Sequence, residues 1–288
     1  PGALPDDPGV TNLLHAYFPV QLLERHPGAI ERHPLRREII ATELVNTLVD
    51  HAGLAWVHRM GENTTADAEA ICRAYLITTA VFDLPGLWQR IKGANVTTSV
   101  AGELTWETLR VLDRTSRWLL QRRPQPLDVT GEITRFRGPV AELTTAMPGW
   151  LHGTDHLDYL DRLRPLVDAG SPAGLTETVF GLLERFALLD VAEIARELDQ
   201  PAVRVGELYY LVKQRRGIDP VLTAISRLAR HDRWSALARL GLRDDMYESI
   251  RGIVTTVLAS SHADATPEEA LQAWETRVGS RLSTIEAV

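Results

Sequence analysis

"HPLRREIIATELVNTLVDHAG", residues 33–53, begins as a helix should and keeps helical spacing to its end. Pro34 suits the first helical position, where its missing N–H would lack an intrahelical acceptor anyway. Projected at about 100° per residue, Leu35, Ile39, Val45, Leu48, Val49 and Gly53 fall on a broad apolar face. Arg36, Glu43, Thr47 and Asp50 form a narrower polar strip. A helix this apolar is expected to be central and packed on several sides. It also sets Thr42 and Asn46 within the apolar surface. A buried amide or hydroxyl without a partner costs about 1–3 kcal/mol, so both side chains are expected to be bonded. The local solution has Thr42 bonding the Glu38 carbonyl and Asn46 bridging to a neighbouring loop or helix. The functional alternatives are a ligand pocket or a subunit contact, and the residues alone favour the local solution.

The surrounding chain is that of a soluble globular protein. It has 288 residues, 44% hydrophobic and 24% charged, enough for one large domain or two smaller ones. A net charge of −7 gives no general attraction to phosphate backbones or anionic membranes. One cysteine, Cys72, excludes an internal disulfide and fits a reducing cytoplasm. No apolar run approaches the roughly 20 residues that span a bilayer, and no basic-then-apolar leader opens the chain. The opening "PGALPDDPG" reads as linker, and with Pro1 in place of Met it suggests a piece of a longer polypeptide. All but two of the 31 basic residues are arginines; the lysines are Lys92 and Lys213.

Helix signals recur from end to end. Thr64 with Asp67 caps a helix carrying Ala70, Ala74, Ile77 and Val81, and Pro85 restarts a short one with Leu87, Trp88 and Ile91. Val100, Leu104, Val111 and Trp118 keep one seam of a third long helix. It ends before "RRPQPLD", residues 122–128, the best internal boundary. Beyond it Thr154, Ser171, Asp190 with Glu193, and Thr266 with Glu269 read as helix caps. Only residues 127–136, "LDVTGEITRF", hint at a strand. The expected fold is all-α, with two packed helical subdomains at residues 1–125 and 126–288.

Chemistry-bearing patterns are scarce. "LLDVAEIARELDQPAVRVGELYYLV", residues 188–212, resembles a helix-turn-helix with Ala195 at the crossing. The start of its second helix offers Arg204 as the single useful donor for base readout, so a role in helix packing is favoured over DNA recognition. His152 and His156, with Asp155 and Asp158 nearby, have the spacing of metal ligands, but Thr154 interrupts the helix between them and a surface loop is favoured. His51 and His58 share one helical side and read as ordinary core or surface histidines. Cys72 sits among Ile71 and Ala74 and reads as a structural thiol. G-x-G-x-x-G, the P-loop, G-x-S-x-G and H-E-x-x-H are all absent.

Residues 33–53 resemble the signature segment near the C-terminus of the large NAD-specific bacterial glutamate dehydrogenases. The resemblance continues through "AICRAYLITTAVFDLPGLWQRI", "RTSRWLL", "DVAEIAREL" with "ELYYLV", and "DRWSALARLGLRDDMYESIR". It implies a much longer parent polypeptide whose central region binds NAD and oxidises L-glutamate to 2-oxoglutarate and ammonium, followed by a helical C-terminal region. Family chemistry uses lysines on substrate and a glycine-rich nucleotide fold. Lys92 in "RIKGAN" and Lys213 in "LVKQRR" lie in no such context, so no catalytic, cofactor-binding or metal-binding residue is carried over. The chain is expected to be the non-catalytic structural or regulatory region, with NAD bound only elsewhere in the parent. Arg36, Arg37, Glu38, Thr42 and Asn46 are its candidate structural or interaction residues. Implied partners are the rest of the same polypeptide, further copies in a homo-oligomer, and a regulatory protein or amino-acid effector, with neither nucleic acid nor membrane. The alternative is a helical DNA-binding or effector-binding module.

Overall fold

A computed structural model of the chain describes residues 2–151, 154–229, 231–262 and 264–286. The described residues are all-α, with no strand among them. They divide into two compact units, Pro1–Gly138 with Pro165–Phe186, and Pro139–Arg164 with Ala187–Val288. Two of the dividing points fall at a proline inside a helix, Pro139 and Pro165, where the missing N–H interrupts the backbone ladder. The turn at residues 122–128 lies within the first unit.

In the first unit, Ala68–Val81 packs along Thr98–Arg122, which also carries Leu84–Gly93, Ala173–Phe180 and Leu182–Phe186. The expected seam of Val100, Leu104, Val111 and Trp118 is buried, as are Ala74, Ile77, Val81, Leu87, Trp88 and Ile91. Two pairs of buried polar groups in this core bond to each other. The Thr78 and Ser116 hydroxyls meet at 3.2 Å, and Trp88 Nε1 donates to Thr108 Oγ1 at 2.8 Å. In the second unit, Ala202–Arg215 is the hub, packed against Leu188–Glu197, Ile218–Arg227, Arg233–Ser260 and Pro267–Glu286.

Several local expectations need correction. Residues 127–136 are not a strand: Val129–Ala146 is a helix, started by Asp128, whose carboxylate accepts from Gly131 N at 3.0 Å. Its β-branched residues suggested a strand, but Val129, Phe136, Val140 and Leu143 are buried at helical spacing, and burial outweighs propensity. The N-terminal "linker" is folded. Its two short 3-10 turns, Leu4–Asp6 and Pro8–Val10, bury Leu4 and Val10. Asp190 and Glu193 cap nothing, since Leu188–Glu197 starts one turn earlier without a side-chain cap. Ser171 is buried and accepts from Thr176 Oγ1 at 2.7 Å rather than capping a helix. Thr64 closes the preceding helix by bonding Met60 O, leaving Asp67 as the cap of Ala68–Val81. His152, and the side chains of Thr154, Asp155, His156 and Asp158, lie outside the described residues.

Candidate functional site

The helix Arg36–Ala52 differs from expectation in the way that matters most. It begins two residues after Pro34 and stops at Gly53, whose φ of 81° few other residues adopt. It is amphipathic rather than central. Ile40, Leu44 and Leu48 form its buried stripe, which packs against Thr11–Tyr17, the Leu4–Asp6 turn and Leu54–Thr64. Leu35, Val45 and Val49, three of the residues projected onto the core face, are exposed. Thr42 and Asn46 share their exposed side, and neither side chain makes a hydrogen bond among the described residues. The apolar residues occupy two opposed faces, and periodicity alone cannot say which one the core takes.

The remaining candidates on this helix separate by role. Arg36 Nη1 donates to the Pro5 carbonyl at 2.7 Å and lies 3.7 Å from Asp6. Arg37 pairs with Asp6 and donates to the Gly2 carbonyl at 2.8 Å. Together they fasten the N-terminal turns onto the helix. Arg73, on Ala68–Val81, strengthens that fastening from below: it binds Asp7 at 2.7 Å, Glu69 at 3.0 Å and the Leu127 carbonyl at 3.1 Å. Glu38 stays exposed on the outer side of Arg36–Ala52. At the helix end, His51 stacks on Trp88 at 3.8 Å with its Nδ1 on the Thr47 carbonyl.

The charged side chains of the second unit are likewise turned on one another. Arg251 reaches Glu193 at 3.0 Å, Asp190 at 3.5 Å and Glu197 at 2.6 Å. Tyr209, fully buried, donates its hydroxyl to Asp190 at 3.4 Å; burial and the Asp190 charge hold that phenol well above its usual range. Lys213 is buried against Asp219 at 2.7 Å and over the Tyr210 ring, and so is unlike a lysine poised for substrate. Arg204, the single candidate for base readout, is held by the His262 and Ala265 carbonyls at 3.0 and 3.1 Å. Gly206 is required in the second helix of the pair because a Cβ there would sit 2.4 Å from the Trp150 ring. These ion pairs were not legible as pairs in the sequence; the acidic residues at positions 190, 193 and 197 on one helical side were the available signal.

The described residues hold no strand to open a glycine-rich turn, and they gather no group of three or more His, Cys, Asp or Glu suited to a metal ion. Cys72 is half-buried, and burial, then Glu69 and Asp67, push its thiol up to about 11, so it resembles a packed side chain rather than a nucleophile.

The family model described as "Glutamate dehydrogenase, C-terminal" matches residues 2–288. The chain belongs to that family. The NAD-specific glutamate dehydrogenase of Mycobacterium tuberculosis is 39% identical over 280 residues, which is 97% of this chain and 17% of that protein. The proteins of the same name from Halomonas elongata and Pseudomonas aeruginosa are 32% and 30% identical over 94% of this chain, again 17% of their own length. The chain thus corresponds to about a sixth of these relatives.

Proposed function

We propose that this chain is a non-catalytic, structural C-terminal region of an NAD-specific glutamate dehydrogenase, which supports folding and assembly of the long polypeptide and offers a place for regulation. One observation carries the reading: the largely buried cations Lys213, Arg73 and Arg251 are engaged by carboxylates within the fold. Lys213 is neutralised by Asp219, Arg73 by Asp7 and Glu69, and Arg251 by Asp190 and Glu193. The other lysine, Lys92, is exposed at the end of Leu84–Gly93. In this reading NAD and glutamate are bound by other parts of the parent, since the described residues offer no strand from which a glycine-rich nucleotide turn could open. Assembly as a homo-oligomer in the cytoplasm, with response to an amino acid or regulatory protein, is part of the same proposal.

The engagement of Arg204 by the carbonyls of His262 and Ala265 supports packing over DNA recognition for the helix pair. The test is enzymatic. Purified residues 1–288 are expected to fold and to show no NAD-dependent glutamate oxidation at any concentration. Turnover that scales with the amount of this chain, after contaminating enzyme is removed, would overturn the reading.

A further inference from the structure

We propose that the outer face of Arg36–Ala52 is a docking surface, and that its occupant is an amphipathic helix from a part of the glutamate dehydrogenase polypeptide lying outside this chain. The proposal rests on the structural reading above. Leu35, Ile39, Thr42, Asn46 and Val49 recur at alternating steps of four and three, the spacing with which one helix seats against another. Leu35 is 56% exposed, Val45 55% and Val49 36%. A single charge, Glu38, lies within this face near its start. The face opposes the stripe of Ile40, Leu44 and Leu48 that anchors the helix to its own unit. Ile39 is half-buried, and the exposed members of this side contribute little to the core of this chain.

The size of the face selects the occupant. A helix of 17 residues is about 25 Å long, and a strip about 10 Å wide along it offers about 250 Å². A stable complex between separate molecules needs about 800 Å² from each partner. A second copy docked here alone falls well short. A segment tethered in the same polypeptide does not, because the covalent link replaces association with an intramolecular step. The relatives carry most of their length outside the part matched by this chain, which spans 17% of them. Thr42 and Asn46 then acquire a role. They lie in the middle of the face, free of hydrogen bonds among the described residues, and once covered they require donors and acceptors from the incoming helix, which fixes its register.

The experiment compares hydrogen exchange in the 288-residue chain and in the full-length polypeptide that carries it, with Val45→Asp and, as a second variant, Thr42→Arg. Residues 36–52 are expected to exchange about tenfold more slowly in the full polypeptide, with that protection lost in either variant. The melting temperature of the 288-residue chain is expected to be unchanged by both, since each position faces solvent there. Equal exchange of residues 36–52 in the two molecules overturns the proposal. If other segments of the region are protected in the full polypeptide while this helix is not, docking at this face fails and the structural role stands. If no segment gains protection, the structural role fails with it. A concentration-dependent dimer of the 288-residue chain that Val45→Asp dissociates makes a second copy the occupant, and also overturns the proposal.

Discussion

Arg251 and Glu193 are 58 residues apart in the chain and 3.0 Å apart in the fold. Their side chains are only 12% and 6% exposed, and Asp190, 2% exposed, lies at the same guanidinium. Desolvating one cation with two carboxylates is tolerable only while all remain together. Arg251→Met is therefore expected to destabilise the second unit by about 3–5 kcal/mol, because it strands buried negative charge. Urea denaturation of the purified chain measures it. Arg251→Met combined with Asp190→Asn and Glu193→Gln is expected to recover part of the loss. A triple variant no more stable than Arg251→Met would mean that the guanidinium acts through its hydrogen bonds alone.

The same pair shows what the sequence could and could not disclose. The family-like block that holds Asp190 and Glu193 and the one that ends at Arg251 meet in the fold. Their contact is long-range, and no local period encodes it. Helix existence was legible nearly everywhere, because Val100, Leu104, Val111 and Trp118 repeat at helical spacing and Thr266 with Glu269 forms its capping box. Facing was not. In Arg36–Ala52 the apolar residues lie on two sides, so the period is satisfied by either orientation, and the core takes the side of Ile40, Leu44 and Leu48. Asn46→Ala, which burial would have made costly, is now expected to change the stability of this chain by no more than about 0.5 kcal/mol. The strand assigned to residues 127–136 failed because β-branched residues report a preference for a half-buried surface, and a helix with a buried stripe supplies one too.

Two glycines in the second unit test the close approach of Trp150. At Gly206 a Cβ would meet the indole ring at 2.4 Å, so Gly206→Ala has to displace the ring or the helix. Overpacking of this kind costs about 1–3 kcal/mol. Gly241, within Arg233–Ser260, has nothing within 4 Å of its would-be Cβ. Gly241→Ala is expected to stabilise by up to about 1 kcal/mol through helix propensity. Thermal melts of the two variants should move in opposite directions, and movement in the same direction would remove the steric account of Gly206.

Cys72 offers a kinetic probe of the first unit. Burial is the main cause of its raised pKa of about 11, followed by the charges of Glu69 and Asp67. Since that value is raised from an ordinary 9.0, at pH 8 the thiolate fraction in the folded chain is lower by roughly ninetyfold. Alkylation by iodoacetamide is expected to be slower by about that factor than in the urea-unfolded chain. Comparable rates in the two states would place the thiol in solvent.

The cap of Pro267–Glu286 gives a pH dependence whose sign is fixed. Thr266 N donates to Glu269 Oε2 at 2.9 Å, and Glu269 N donates to Thr266 Oγ1 at 3.2 Å. The backbone bond from Thr266, and then its side chain, hold the Glu269 carboxyl below its ordinary range. A carboxyl with a lower pKa folded than unfolded contributes stability that is complete above the unfolded value, about 4.3, and disappears as the pH falls through the folded one. Asp232, lowered by the Ser235 backbone, loses its contribution in the same direction. Glu269→Gln keeps an accepting oxygen but cannot titrate. The melting temperature of the native chain minus that of Glu269→Gln is therefore expected to stay constant from pH 7 to about 5 and to shrink below about pH 4. Asp232 is present in both proteins and cancels in this difference. A difference that grew on acidification would require Glu269 to be protonated in the fold, contrary to the capping geometry.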